Sequence, residues 1–349
     1  MMSEAWKSII RFFNKDNVDR NSDLSDPIPV KLPLSLLEEV TNQAKAIGGD
    51  RYRSKHLINL IELGTKFYRV NSDFIASLPL EQVNLITRLH YVFNDLNLES
   101  TKVAISLGHE NAVKVSNWLS GKEIPSFTDL DALATKYFIN SDWIKEGSKE
   151  YQPEFMPYLV IRKSFYSWKE SLKELLDDYN GQKVRGIQII RSEGGSIAFA
   201  VGYGSHDDMD TQVRVFDYYN LKIRNREDIG GGGFSNAVDL AILCLVLYRY
   251  IRSPLIISYN IDDDEMKLIT SGQKLPKHLG IWGQSKANIW YESIFDPSDT
   301  ENNSDSSYWK GAKNLFRLIQ TDQHFLSEKS KLLDDPKKQI QEIIGKSLD

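Results

Sequence analysis

Cysteine is almost absent from this chain. Cys244 is the only one in 349 residues, which excludes an intramolecular disulfide and any cysteine-rich zinc site and fits a reducing cytoplasm. Long apolar runs are missing as well. None reaches the ~20 residues of a membrane-spanning helix. The longest, AVDLAILCLVLYRYI (237–251), carries Asp239 and ends in Tyr and Arg, so it reads as a buried core helix. The opening MMSEAWKSIIRFFNK lacks the apolar region and small-residue cleavage site of a signal peptide; it is expected to be a short amphipathic helix that docks on the body or on a partner chain. There is no excess of positive charge. The net charge is −5, and residues 1–150 hold 18 Lys and Arg against 20 Asp and Glu. Binding to a polyanion must therefore come from local placement of cations. The six histidines show no HExxH or similar metal spacing, and no glycine-rich stretch closes with Gly-Lys-Ser/Thr. No catalytic residue, resident metal, cofactor or membrane partner is expected.

What is present divides into segments. After the first helix, NKDNVDRNSDLSD (14–26) is polar and aperiodic, a linker. In PIPVKLP (27–33) Ile28, Val30 and Leu32 alternate with Pro27, Pro29 and Lys31, a short half-buried strand that its prolines confine to an edge or a two-stranded ribbon. Helical patterns follow at 35–47 and 54–68, separated by GGD. Residues 79–147 hold at least four short helical patterns. Beyond 158 a helix at 164–179 leads into strand-rich sequence, a long helix over 235–251, an expected hairpin over PLIISYNIDDDEMKLITSG (254–272) and an expected strand in NIWYESIF (288–295). An acidic loop at 296–307 precedes helices at 308–325 and 335–347. The fold class expected is multidomain: a 1–26 helix and linker, a small unit at 27–70, an all-α domain at 79–150 and an α+β domain at 158–349.

In LGHENAVKVSNWLSGKEIPS (107–126), Gly108 ends one helix in a left-handed turn and Asn111 is placed to cap the next. Val115 and Trp118, three apart, share a buried face, which leaves Lys114, Ser116 and Asn117 pointing outward. With Ala104, Leu119–Lys122, Pro125 and LDALATKYFINSDWIKEG (130–147), residues 82–147 resemble the lambda-repressor-like (Cro/C1, XRE-type) family of helix-turn-helix DNA-binding domains. The resemblance implies that the second helix of the motif lies in the major groove of double-stranded DNA, its N-terminal side chains on base edges. Asn111, Lys114, Ser116 and Asn117 would then read or approach bases, and Ser100, Thr101 and Lys122 would meet phosphates.

Upstream, VKLPLSLLEEV and GGDRYRSKHLINLIELGTKFY make residues 27–70 resemble a ribbon-helix-helix (Arc/MetJ-type) unit. That resemblance implies a ribbon shared by two chains, hence a homodimer or higher homo-oligomer, with Lys31 as its one hydrogen-bonding base reader and Arg53 and Ser54 gripping phosphate.

No family resemblance attaches to 158–349. There NLKIRNREDIGGGGFSNAVDLA (220–241) sets Lys222, Arg224 and Arg226 two apart on one strand face, ahead of four glycines, Ser235 and a helix start, a candidate anion site. A solvated strand face and a loop account for the same residues. HDDMD (206–210) and IDDDEMK (261–267) carry enough carboxylates for a divalent metal, although a hairpin turn explains the second. The sequence thus points to a cytoplasmic, prokaryotic or phage-type, dimeric transcriptional repressor at a pseudo-palindromic operator, whose C-terminal domain oligomerises or senses an unknown ligand or partner. A metal-dependent DNA-targeted nuclease and a protein-interaction adaptor with a vestigial helix-turn-helix are the alternatives.

Overall fold

The computed structural model describes residues 78–147, 156–204, 211–251, 255–276, 290–303 and 308–345. The strand and helices expected before residue 70, with Lys31, Arg53 and Ser54, lie outside them, as does 206–210. The chain divides into two compact units, residues 1–91 with 117–124, and 92–116 with 125–349.

Five helices come first: α1 (Leu80–Asp95), α2 (Ser100–Ser106), α3 (Val113–Ser120), α4 (Phe127–Tyr137) and α5 (Ser141–Glu146). Their ends follow from local chemistry. Gly108 (φ 75°) closes α2, with the His109 N–H on the Ala104 carbonyl and the Gly108 N–H on that of Ile105, the paired bonds of a Schellman motif. Gly121 (φ 73°) closes α3 in the same way. Ser126 and Asp129 form a reciprocal capping box at the start of α4. Asn97 and Phe138 also adopt left-handed conformations, at φ 51° and 52°.

The remainder is built on a five-stranded mixed sheet in the order β1 (Val160–Lys163), β4 (Val213–Lys222), β3 (Ser196–Tyr203), β2 (Val184–Ser192), β5 (Leu255–Ile261). The meander β2–β3–β4 is antiparallel, while β1 and β5 join its two edges in parallel, against β4 and β2. Strand alternation sends Ile187, Ile189, Phe199, Val201 and Phe216 into the main core. The helices contributing to that core are α6 (Trp168–Leu175), α7 (Gly231–Tyr250), α9 (Trp290–Ser293), α11 (Ala312–Gln320), α12 (Gln323–Asp334) and α13 (Pro336–Ile344). The alternate residues Ile190, Ala198, Ala200 and Val215 are also buried; they belong to the opposite face, where α8 (Asp263–Thr270) packs along β2, β3 and β4. Among the described residues α7 alone is long and apolar enough to cross a membrane. Here it is the central core helix, with an unbroken buried run from Leu240 to Leu247.

Several expectations change. The stretch 254–272 is not a hairpin: β5 pairs in parallel with β2, and the chain then enters α8, whose N-cap Asp262 accepts the Glu265 N–H at 2.6 Å. The Asp-rich run is a helix start, where carboxylates meet the positive end of the dipole. The acidic stretch after 296 likewise holds a helix, α10 (Pro297–Asn302), capped by Asp296 with proline in its first turn. Trp290–Ser293 is helical rather than extended.

The end of α4 joins the sheet-bearing part. Ile139 and Tyr158 form an antiparallel bridge, flanked by Asn140 N–H to Pro157 O and Leu159 N–H to Phe138 O, both 2.8 Å. The Phe138 ring lies 4.7 Å from that of Tyr179 and 5.3 Å from that of Tyr203. Gly272 (φ 79°) permits the adjoining contact, since a Cβ there would sit 2.3 Å from the Tyr158 carbonyl oxygen.

Candidate nucleic-acid interface

The segment α2–turn–α3 is pinned from within. Val103, Ala104, Val115 and Trp118 are buried, and the Asn111 side chain accepts the Val113 N–H at 2.9 Å. That bond satisfies one of the donors a helix start leaves open, and it occupies the Asn111 oxygen that the resemblance assigns to the bases. Lys114 is similarly engaged. Its ammonium donates to Asp129 Oδ1 at 2.9 Å and is only partly exposed, tying α3 to the capping box of α4. Burial pushes the Asp129 carboxyl up, but hydrogen bonds from Lys114 and Ser126 outweigh it and hold the group below its usual range. His109 Nε2 stands 3.8 Å from the same carboxylate.

Ser116 is exposed and Asn117 half-exposed on the outer side of α3, and Lys122 is exposed just past it. Neither the Ser116 nor the Asn117 side chain makes a hydrogen bond among the described residues. Asn117 contributes its carbonyl to the Lys122 and Glu123 N–H groups that close the helix. Thr101 is exposed and Ser100 half-buried at the start of α2. The same helical segment also exposes apolar side chains and is acidic. Val113 and Phe127, the first residues of α3 and α4, are 62% and 70% exposed. Residues 78–147 also hold nine acidic side chains against six Lys and Arg.

The candidate anion residues are not brought together. β4 ends at Lys222, and Arg226 opens a single 3-10 turn, Arg226–Asp228, so the three cations do not share a strand face. Arg224 donates through Nε to the Gly194 carbonyl. Arg226 donates to the Ile229 carbonyl at 2.9 Å and covers the Phe234 ring at 4.6 Å. Ser235 donates back to the Gly231 carbonyl. Each is spent on nearby backbone, while Lys222 stays exposed. Among the described residues no three His, Cys, Asp or Glu side chains gather as metal ligands.

One further charged residue is turned inward. Arg191 is buried on β2, stacked at 3.7 Å on the Trp309 ring, with Nε donating to the Ile223 carbonyl at 3.2 Å. Burial lowers its pKa to about 10, against the opposing pull of Asp263. The alternation Ile187, Ile189, Arg191 is the signal that points it inward. Beyond Trp309 a cavity of about 480 Å³ is lined by Lys310, Lys313, Asn314 and Arg317; Arg317 is held in two-point contact by Glu301 at 2.9 and 3.1 Å. No protein-family model, curated protein or solved structure matches the chain.

Proposed function

We propose that the protein is a cytoplasmic, sequence-specific DNA-binding regulator that acts as a dimer, occluding a promoter at a pseudo-palindromic operator. The observation that carries this reading is the α2–turn–α3 segment. A helix is held rigid by buried Val115 and Trp118, fixed at both ends by Asn111 and Gly121, and leaves Ser116 and Asn117 outward without internal partners. Asn can bond bidentately to adenine in the major groove, and a preorganised helix spends no binding energy on ordering itself. Lys114 serves as a strap to Asp129, which leaves Lys122, Ser100 and Thr101 for phosphate. So few cations give one copy little affinity, because phosphate neutralisation dominates binding to duplex DNA. Two copies double those contacts. The ribbon-helix-helix-like segment 27–70, with Lys31, Arg53 and Ser54, would supply the second copy.

Enrichment of random duplexes by the full-length protein at two salt concentrations tests the proposal. An inverted repeat that survives the higher salt is the expected result; binding that salt abolishes on every sequence would sink it. A protein-interaction adaptor is the second reading, favoured by exposed Val113 and Phe127 and by the acidic balance of 78–147. Nuclease action finds less support, since Asp262–Glu265 form the start of α8.

A further inference from the structure

The register of β4 against β3 jumps from Ala198 opposite Asp217 to Ser196 opposite Lys222, so β4 bulges across Tyr218–Leu221. A bulge breaks the in–out alternation and re-aims the side chains it contains. Tyr218 and Leu221 remain in the core, while Tyr219 is 51% exposed. Asn220 clamps a neighbouring segment: its side chain accepts the Phe165 N–H at 2.6 Å and donates to the Phe165 carbonyl at 3.0 Å. Phe165 is buried edge-on against Tyr218 at 5.5 Å, and the next residue, Tyr166, is 72% exposed. The Ser164 hydroxyl donates to the Tyr219 hydroxyl. Arg162, with its side chain 72% exposed, lies 5.9 Å from the Tyr219 ring centroid and 3.4 Å from Asp217. Lys222, where the bulge ends, is exposed and has no ion-pair partner among the described residues.

Two exposed tyrosines thus adjoin the residues of a side-chain-to-backbone clamp, Tyr219 beside Arg162 and with the exposed Lys222 three residues further along β4, in a chain that is acidic overall. Scattered exposed leucines need no explanation. Exposed rings in one short stretch with an arginine and a lysine combine stacking faces with charge complementary to a phosphate chain. We propose that Tyr166, Tyr219, Arg162 and Lys222 form a binding surface for single-stranded nucleic acid. Bases stack on the tyrosine rings, and the arginine and lysine take the backbone phosphates. The surface lies wholly within residues 162–222 and does not rest on the helix-turn-helix reading.

The test is fluorescence anisotropy of full-length protein with labelled 20-mers of dT and of U at two salt concentrations. Tyr166→Ala together with Tyr219→Ala is expected to weaken binding about tenfold or more, and phenylalanine at both positions to restore it. Arg162→Gln with Lys222→Gln is expected to weaken binding and flatten its salt dependence. Should the alanine pair lose its fold, Tyr166→Ala alone and the glutamine pair decide the matter. Duplex binding through α3 should be unchanged in all of them. The proposal is overturned if the wild type binds neither oligomer, if the alanine variants bind as the wild type does, or if phenylalanine fails to restore binding. Unchanged oligomer binding with an altered sedimentation mass would overturn it too, marking the surface as a contact between copies.

Discussion

At the scale of single residues, Asn117 and His90 carry the sharpest expectations. Asn117→Ala removes an outward amide whose side chain has no hydrogen bond among the described residues, so stability should barely move. Specific duplex binding should fall by about 1–3 kcal/mol while non-specific binding persists; equal loss on every sequence, in a titration at fixed salt, would rule it out as a base reader. His90 has a structural task. Its Nε2 lies 2.8 Å from the Leu119 carbonyl, and burial lowers its pKa despite that bond. The unfolded chain therefore takes up this proton more readily than the folded one. The associated stability is complete above about pH 6.5 and declines as pH falls through the folded value. Melting at pH 7.5 and 5.5 should show a drop in the wild type that is smaller in His90→Gln.

At the scale of elements, Asp129 does the most with one side chain, closing the capping box of α4 and holding Lys114 of α3. Asp129→Ala should cost about 1–2 kcal/mol in urea unfolding and loosen α3. Because its folded pKa is depressed, that contribution is present above about pH 4 and lost as pH falls further. Acid unfolding of the variant should accordingly start from a lower plateau and be shallower below pH 4. How far such elements can be read from sequence depends on whether one residue type settles the geometry. Gly108 and Gly121 mark the ends of α2 and α3 because a left-handed turn favours glycine, and Val115 with Trp118 gave the buried face. Asn97 and Phe138 take the same turn without glycine and leave no mark. The acidic run at 262–265 suits a turn or a helix start equally, and only the parallel pairing of β5 with β2, many residues away, decides between them. The β4 bulge is hidden for the same reason, since register belongs to pairs of strands. Arg226, spaced as if on the strand, lies beyond its end at Lys222 because the strand stops where its pairing partner does.

At the scale of the molecule, the helical and sheet-bearing parts meet at Phe138–Asn140 and Pro157–Leu159 within one compact unit. Phe138→Ala should destabilise the protein by about 3–5 kcal/mol, read as a lowered urea midpoint with near-UV circular dichroism lost from the tyrosine pair it touches. The first 70 residues lie outside the described structure, and their proposed role is assembly. Their removal should lower the sedimenting mass, and an unchanged mass would remove them from the dimer interface.

The bridge between Ile139 and Tyr158 also bears on how this chain can be taken apart. A fragment beginning at residue 158 would leave Tyr179 and Tyr203 facing an empty space where Phe138 had been, and a fragment ending at 147 would carry an orphaned phenylalanine into water. Recombination that exchanged the helical part for another would have to bring a matching aromatic with it, so the two parts are constrained to change together.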